Sequence, residues 1–152
     1  MTKSEEIYDY FNKNVLKSKD DFINKYGKQF KYIEFFKNKT ISDWSLLTTL
    51  EEIECLEFFV NQRIEHMWDL SNNRCLKALV INDFTRLHDL TGIEKAPALK
   101  WFDFGNKVWC KASITSLKML ANTSIQYLQF GGKVIDDADL SFVLDMPELE
   151  VL

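Results

Sequence analysis

No apolar run in this chain is long enough to cross a bilayer, and the opening residues Met1-Thr-Lys-Ser-Glu-Glu hold no apolar signal core. Cysteine is sparse. Cys55, Cys75 and Cys110 are odd in number and show no C-x-x-C spacing, which fits a reducing compartment and no zinc site. The expected location is the cytoplasm. Histidine is scarcer still, with only His66 and His88. No glycine-rich phosphate loop is present, since Gly131-Gly132 is an isolated pair. Little is left from which to build an active site, so no enzyme, cofactor or metal is expected.

Positive charge is missing from most of the length. Residues 41–152 carry ten Lys plus Arg against seventeen acids, a net of −7. Nucleic-acid phosphates require a basic stripe, so nucleic acid is not the expected partner. Residues 1–40 carry nine Lys against six acids, a net of +3. Those lysines could meet an anionic surface, but simple solvation explains them as well, and no membrane contact is expected.

What the chain does have is a repeat. An apolar-x-x-apolar-x-apolar pattern occurs at Phe30/Ile33/Phe35, Ile53/Leu56/Phe58, Leu76/Leu79/Ile81, Leu99/Phe102/Phe104 and Ile125/Leu128/Phe130. A sixth copy starts at Leu149/Leu152. Successive copies begin 23, 23, 23, 26 and 24 residues apart. A fixed period in the twenties marks a solenoid of stacked units. Counting from the first apolar residue, position 12 is Ile41, Ile64, Leu87 and Cys110. Position 15 is Trp44, Met67 and Leu90, and position 18 is Leu47, Leu70 and Ile93. The fourth unit slips to Ile114, Leu117 and Leu120, and the fifth offers Ile135, Leu140, Val143 and Met146.

The spacings carry the structure. Positions 4 and 6 are two apart and share one face of a strand, which must turn inward. Positions 12, 15 and 18 are three apart, suiting a 3₁₀ or short helical return. Position 9 is Asn38 and then Asn61, whose amides can satisfy backbone groups where the strand turns. One unit buries too little alone, and stacking makes a continuous core.

This pattern resembles the leucine-rich repeat family, and most closely its bacterial repeats with a short return, L-x-x-L-x-L-x-x-N-x-I-x-x-L-x-x-L. The resemblance runs from about Phe30 to Leu152. Two departures stand out: Phe fills position 6 in four of five complete repeats, and Phe84, Lys107 and Lys133 replace the position-9 Asn. The implied fold is α/β, a leucine-rich-repeat solenoid with a short parallel sheet on its concave face. Residues 30–152 would hold five repeats plus a truncated sixth. Residues 1–29 would form a helical N-terminal cap, with Ser4 capping a helix through Ile7, Tyr10 and Phe11 and Gly27 ending a second.

On such a strand, positions 3, 5 and 7 point away from the core. They supply Tyr32, Glu34, Phe36, Glu57, Phe59, Trp101, Asp103, Tyr127 and Gln129, aromatics beside carboxylates. Exposed aromatic clusters mark protein-binding surfaces, and the acids favour a basic partner. Cross-strand packing with solubilising acids would produce the same pattern. The resemblance implies a protein-protein interaction module, and an immunity- or antitoxin-like inhibitor that masks a toxin is one concrete version. Gly105 and Gly131 beside Trp101 should leave room for a guest, and Cys55 is the cysteine to test for reactivity.

The last strand ends Pro147-Glu-Leu-Glu-Val-Leu152 without a return. Either further residues cover that end, or a second copy does. Leu149, Val151 and Leu152 are the expected edge of a homodimer or stacked assembly in the second case.

Overall fold

The computed structural model describes residues 31–37, 42–105, 108, 113–131 and 134–152. Five strands form one parallel sheet: β1 (Tyr32–Phe36), β2 (Cys55–Asn61), β3 (Ala78–Phe84), β4 (Trp101–Gly105) and β6 (Tyr127–Gly131). Their order in the sheet follows their order in the chain. The register pairs Tyr32 with Cys55, Cys55 with Ala78, Ala78 with Trp101 and Trp101 with Tyr127, so each repeat lies beside the next without slippage. Val151 adds a parallel bridge to Tyr127 beyond the last strand.

The alternation is as the spacing requires. Ile33, Phe35, Leu56, Phe58, Leu79, Ile81, Phe102, Phe104 and Leu128 are buried, and Phe130 at the last strand is half-buried. The phenylalanines at position 6 form stacks running from strand to strand. Phe35 lies flat on Phe58 with centroids 4.9 Å apart, and Phe104 lies on Phe130 at 5.8 Å. Ring stacking across repeats gives a physical reason for Phe at this position. Phe84 at position 9 has the same explanation: it packs edge-on against Phe58 at 6.1 Å in the core.

Short 3₁₀ segments carry the chain back: η1 (Ser45–Thr49), η2 (Ile93–Lys95), η3 (Lys118–Leu120) and η4 (Ser141–Asp145). An Asp-x-Ser/Thr motif introduces several of the returns. Asp43, Asp89 and Asp139 accept the backbone N–H of Ser45, Thr91 and Ser141, each at 2.8 Å, and Asp69 accepts that of Ser71 at 3.1 Å. These Asx turns satisfy donors that a short helix leaves open. The last one redirects a residue. Leu140 was expected in the core, but the Asp139–Ser141 turn carries it outward to 57% exposure and brings Phe142 in to 3%.

Strand ends repeat as well. Lys37, Val60 and Asp83 occupy position 8 of successive repeats and take left-handed backbone, with φ of 55°, 65° and 58°. Asn61 then does what its position predicts: its Oδ1 accepts the backbone N–H of Arg63 and of Ile64, both at 2.8 Å. The longer fourth repeat adds a feature absent from the sequence reading. β5 (Ser113–Ile114) pairs in parallel with β7 (Val134–Ile135), making a small second sheet.

Charge lines the entry side of the sheet. Glu54 sits between Lys31 at 2.6 Å and Lys77 at 2.8 Å, one position-2 residue from each of three neighbouring repeats. Hydrogen bonds from Lys31 and then Lys77 pull its carboxyl down to about 2. A carboxylate depressed in the folded state contributes stability that is present above its ordinary range near 4.5 and is lost as pH falls toward 2. The wild-type melting temperature should therefore fall over that interval. Glu54→Gln should fall less steeply there, and equal slopes would remove the ladder from the account.

The predicted cap over 1–29 lies outside the described residues, as do Phe30, Asn38, Ile41, Lys107, Cys110 and Lys133.

Candidate functional site

The candidate site is the sheet face turned away from the core. Register arranges its side chains in three rows. The first reads Tyr32, Cys55, Ala78, Trp101, Tyr127; the second Glu34, Glu57, Val80, Asp103, Gln129; the third Phe36, Phe59, Asn82, Gly105, Gly131. All nine residues expected on this face stand in these rows.

Three of the aromatics on this face are exposed, while Phe59 and Tyr127 are half-buried. Tyr32, Phe36 and Trp101 are 46%, 49% and 43% exposed. Trp101 and Tyr127 lie flat on one another, centroids 3.5 Å apart and planes 10° from parallel. The Tyr127 hydroxyl donates to Gln129 Oε1 at 2.9 Å, which fixes the outer ring. Phe36 and Phe59 form a second pair at 6.1 Å, and Lys37 Nζ lies 5.2 Å from the Phe36 centroid. The two aromatic groups stand apart, with the small residues Cys55, Ala78 and Val80 in the gap.

No Lys or Arg occupies any of the fifteen positions in the three rows, whereas Glu34, Glu57 and Asp103 do. Two neighbours sense the resulting negative field. Burial first, then the carboxylates of Glu57 and Glu34, push the Tyr32 phenol up to about 12. Burial first, then Glu57, pushes the Cys55 thiol up to about 11, and its Sγ donates weakly to Glu57 Oε1 at 3.9 Å. Cys55, the cysteine singled out for a reactivity test, is therefore expected to react slowly at neutral pH, because the thiolate is the nucleophile and this site disfavours it.

The glycines divide. A Cβ on Gly131 would meet nothing within 4 Å, so space is open there. A Cβ on Gly105 would come within 2.4 Å of the Gly131 carbonyl oxygen. Gly105 is buried, and its small size serves close approach to the neighbouring strand rather than a guest. Gly105→Ala should therefore cost about 1–3 kcal/mol by overpacking, while Gly131→Ala should cost far less. Denaturant unfolding of both variants checks this, and equal losses would contradict the crowding.

Asn82 is a further surprise. It stands between Phe59 and Gly105 in the third row but is only 1% exposed, and its Nδ2 donor has no hydrogen-bond partner. Nothing in the sequence pattern marks it, since position 7 reads as a solvent-facing site.

No family model matches the chain, and no curated protein matches it in sequence. The residues themselves must carry the functional argument.

The other side of the molecule uses its polar groups structurally. His88 Nδ1 donates to the Ser113 carbonyl at 2.8 Å, joining the third return to β5. His66 lines an outer cleft of about 310 Å³ with Asp43, Arg63 and Glu65. There Asp43 caps the first return and Glu65 pairs with Arg86 at 3.1 Å. Among the described residues, no three His, Cys, Asp or Glu side chains gather as a metal site would require. At the far end, Leu149 is half-buried against the core, while Val151 and Leu152 are 49% and 72% exposed.

Proposed function

We propose that this chain is a leucine-rich-repeat-type solenoid, with a helical cap over residues 1–29, that captures a basic protein partner on the concave face of its sheet. The observation that carries this reading is the exposed Trp101, stacked on the half-buried Tyr127 beside Asp103, on a face with no cation in its three rows. Large aromatic rings supply contact area at low entropic cost, and nearby carboxylates steer a basic partner toward them. The rows of aromatic and acidic side chains suit a binding module rather than an enzyme. Its concrete version is an inhibitor of the immunity or antitoxin kind, acting in the cytoplasm by masking a partner's surface.

Trp101→Ala should weaken binding by about 2 kcal/mol, roughly thirtyfold in Kd, while leaving the melting temperature close to that of the wild type. The test is affinity capture from the native host with wild-type and Trp101→Ala chains as paired baits, read by mass spectrometry. A protein retained by the wild type and lost with the variant supports the reading. Identical capture by both sinks it.

A second reading is an assembly unit joined through the last repeat, in which Leu149, Val151 and Leu152 form the contact. Its support is the exposed apolar surface of the last repeat, where Leu140, Leu144, Val151 and Leu152 are 57%, 89%, 49% and 72% exposed. Residues 134–152 hold six acidic side chains and no Lys or Arg, and Glu148, Asp137 and Asp139 are paired with Lys100 and Lys118 of the fourth repeat. Light scattering on the wild type and on Leu152→Asp separates the readings, since only an assembly would lose mass.

A further inference from the structure

The open face has a shape as well as a charge. Tyr32 and Trp101 stand three strands apart in the first row, and only Cys55 and Ala78 lie between them. Three strand steps of about 4.8 Å place these rings about 14 Å apart, leaving about 11 Å between their surfaces. The result is a trough running along the strands. Its walls in the first row are aromatic, its floor is Cys55, Glu57, Ala78 and Val80, Asp103 continues the Trp101 wall, and Phe59 stands on the floor in the third row. At its far end Asn82 holds a buried amide donor with no partner.

The width selects the occupant. An α-helix with its side chains is about 10–12 Å across, and the strands are long enough to support about three turns. An extended segment fits less well. The backbone groups of β2, β3 and β4 are already committed to the ladder, so an added strand would find few partners for its own N–H and C=O groups. A helix satisfies its backbone internally. Resting on the reading that this face binds a protein, we infer that the trough between Tyr32 and Trp101 seats one amphipathic α-helix of the partner, lying along the strands. An Arg or Lys on its buried side reaches Glu57 and Asp103 while its stem packs on Trp101. The cation gains two carboxylates and an aromatic face together, which a surface pair does not offer.

The test is selection against the whole chain from two displayed libraries of equal size. One presents a three-turn helix randomised on one face, and the other presents unstructured peptides of the same length. Binders should emerge from the helical library, carry Arg or Lys on the contacting face and compete with one another. They should weaken at least tenfold toward Glu57→Gln/Asp103→Asn, provided its melting temperature matches the wild type. Tyr32→Arg, which puts a cation on the trough wall, should repel the same binders and serves if the double variant fails to fold. The inference is overturned if the helical library yields no binder, or if its binders lack a basic residue or ignore these substitutions. Peptides from the unstructured library that need Trp101 would overturn the helix and leave the binding face standing. Binders from both libraries that ignore Trp101→Ala would overturn both.

Discussion

Replacing Phe58 with alanine is expected to cost about 4–5 kcal/mol, near the top of the range for a buried aromatic. Phe58 is 1% exposed and meets four rings at once. It lies flat on Phe35 at 4.9 Å, with the edges of Trp44 at 4.8 Å, Trp68 at 5.7 Å and Phe84 at 6.1 Å. These rings come from two strand columns and two returns, so the cavity would open between repeats where collapse is hardest. Each ring pair adds about 0.5–1.5 kcal/mol beyond area burial. Denaturant unfolding measures the loss through the midpoint at an unchanged slope. Phe130→Ala is the internal comparison. That ring is half-buried and should cost no more than about half as much. A Phe58→Ala loss no larger than that of Phe130→Ala would mean that the aromatic column does not hold the repeats together.

Asn73→Ala should cost about 3 kcal/mol, a large effect for a polar residue. Asn73 is fully buried and clamps two repeats. Its Nδ2 donates to the carbonyls of Leu47 at 2.8 Å and Leu50 at 3.0 Å, in the return before it. Its Oδ1 accepts from Trp68 Nε1 at 2.9 Å. Both carbonyls keep backbone donors, from Leu50 and Ile53, so the indole N–H suffers most when the side chain is removed. Trp68→Phe removes that donor. The double variant should therefore lose less than the sum of the singles, by about 1 kcal/mol or more. Strict additivity would show that the Asn73–Trp68 bond contributes nothing.

The strand positions were legible in the sequence because one apolar spacing recurs and a parallel register follows from a constant step. Ile33, Leu56, Leu79, Phe102 and Leu128 line up for that reason alone. The returns were only partly legible. Spacing by threes points to Leu47, Leu70, Leu90, Ile93, Ile114, Leu117 and Leu120, all buried, whereas in the fifth return Leu140 is exposed and Phe142 is buried. The Asp-x-Ser/Thr turns at those returns are a local motif whose effect on phase shows only in the hydrogen bonds. Asn73 could not have been found by pattern, since its partners lie 23 and 26 residues earlier and it occurs in one repeat only.

The site divides along the same line. Alternation places side chains on a face, so the rows of aromatics and acids follow from strand phase. What alternation cannot see is the neighbour across the sheet. Gly105 reads as open space until the Gly131 carbonyl is placed beside it, and Asn82 reads as exposed until the surrounding side chains enclose it. Cys55 reads as the cysteine to test until burial, and then Glu57 near its sulfur, disfavour its thiolate.

The central claim, that the open sheet face receives the partner, is tested most directly by fluorine resonance on the chain labelled with 5-fluorotryptophan. Trp101 is 43% exposed on that face, whereas Trp44 and Trp68 are buried in the core at 4% and 9%. The Trp101 signal is assigned by its loss in Trp101→Phe. On saturation with the partner recovered by affinity capture, the account predicts that the Trp101 signal moves or broadens while those of Trp44 and Trp68 stay in place. A saturated complex in which the Trp101 signal does not change would contradict it.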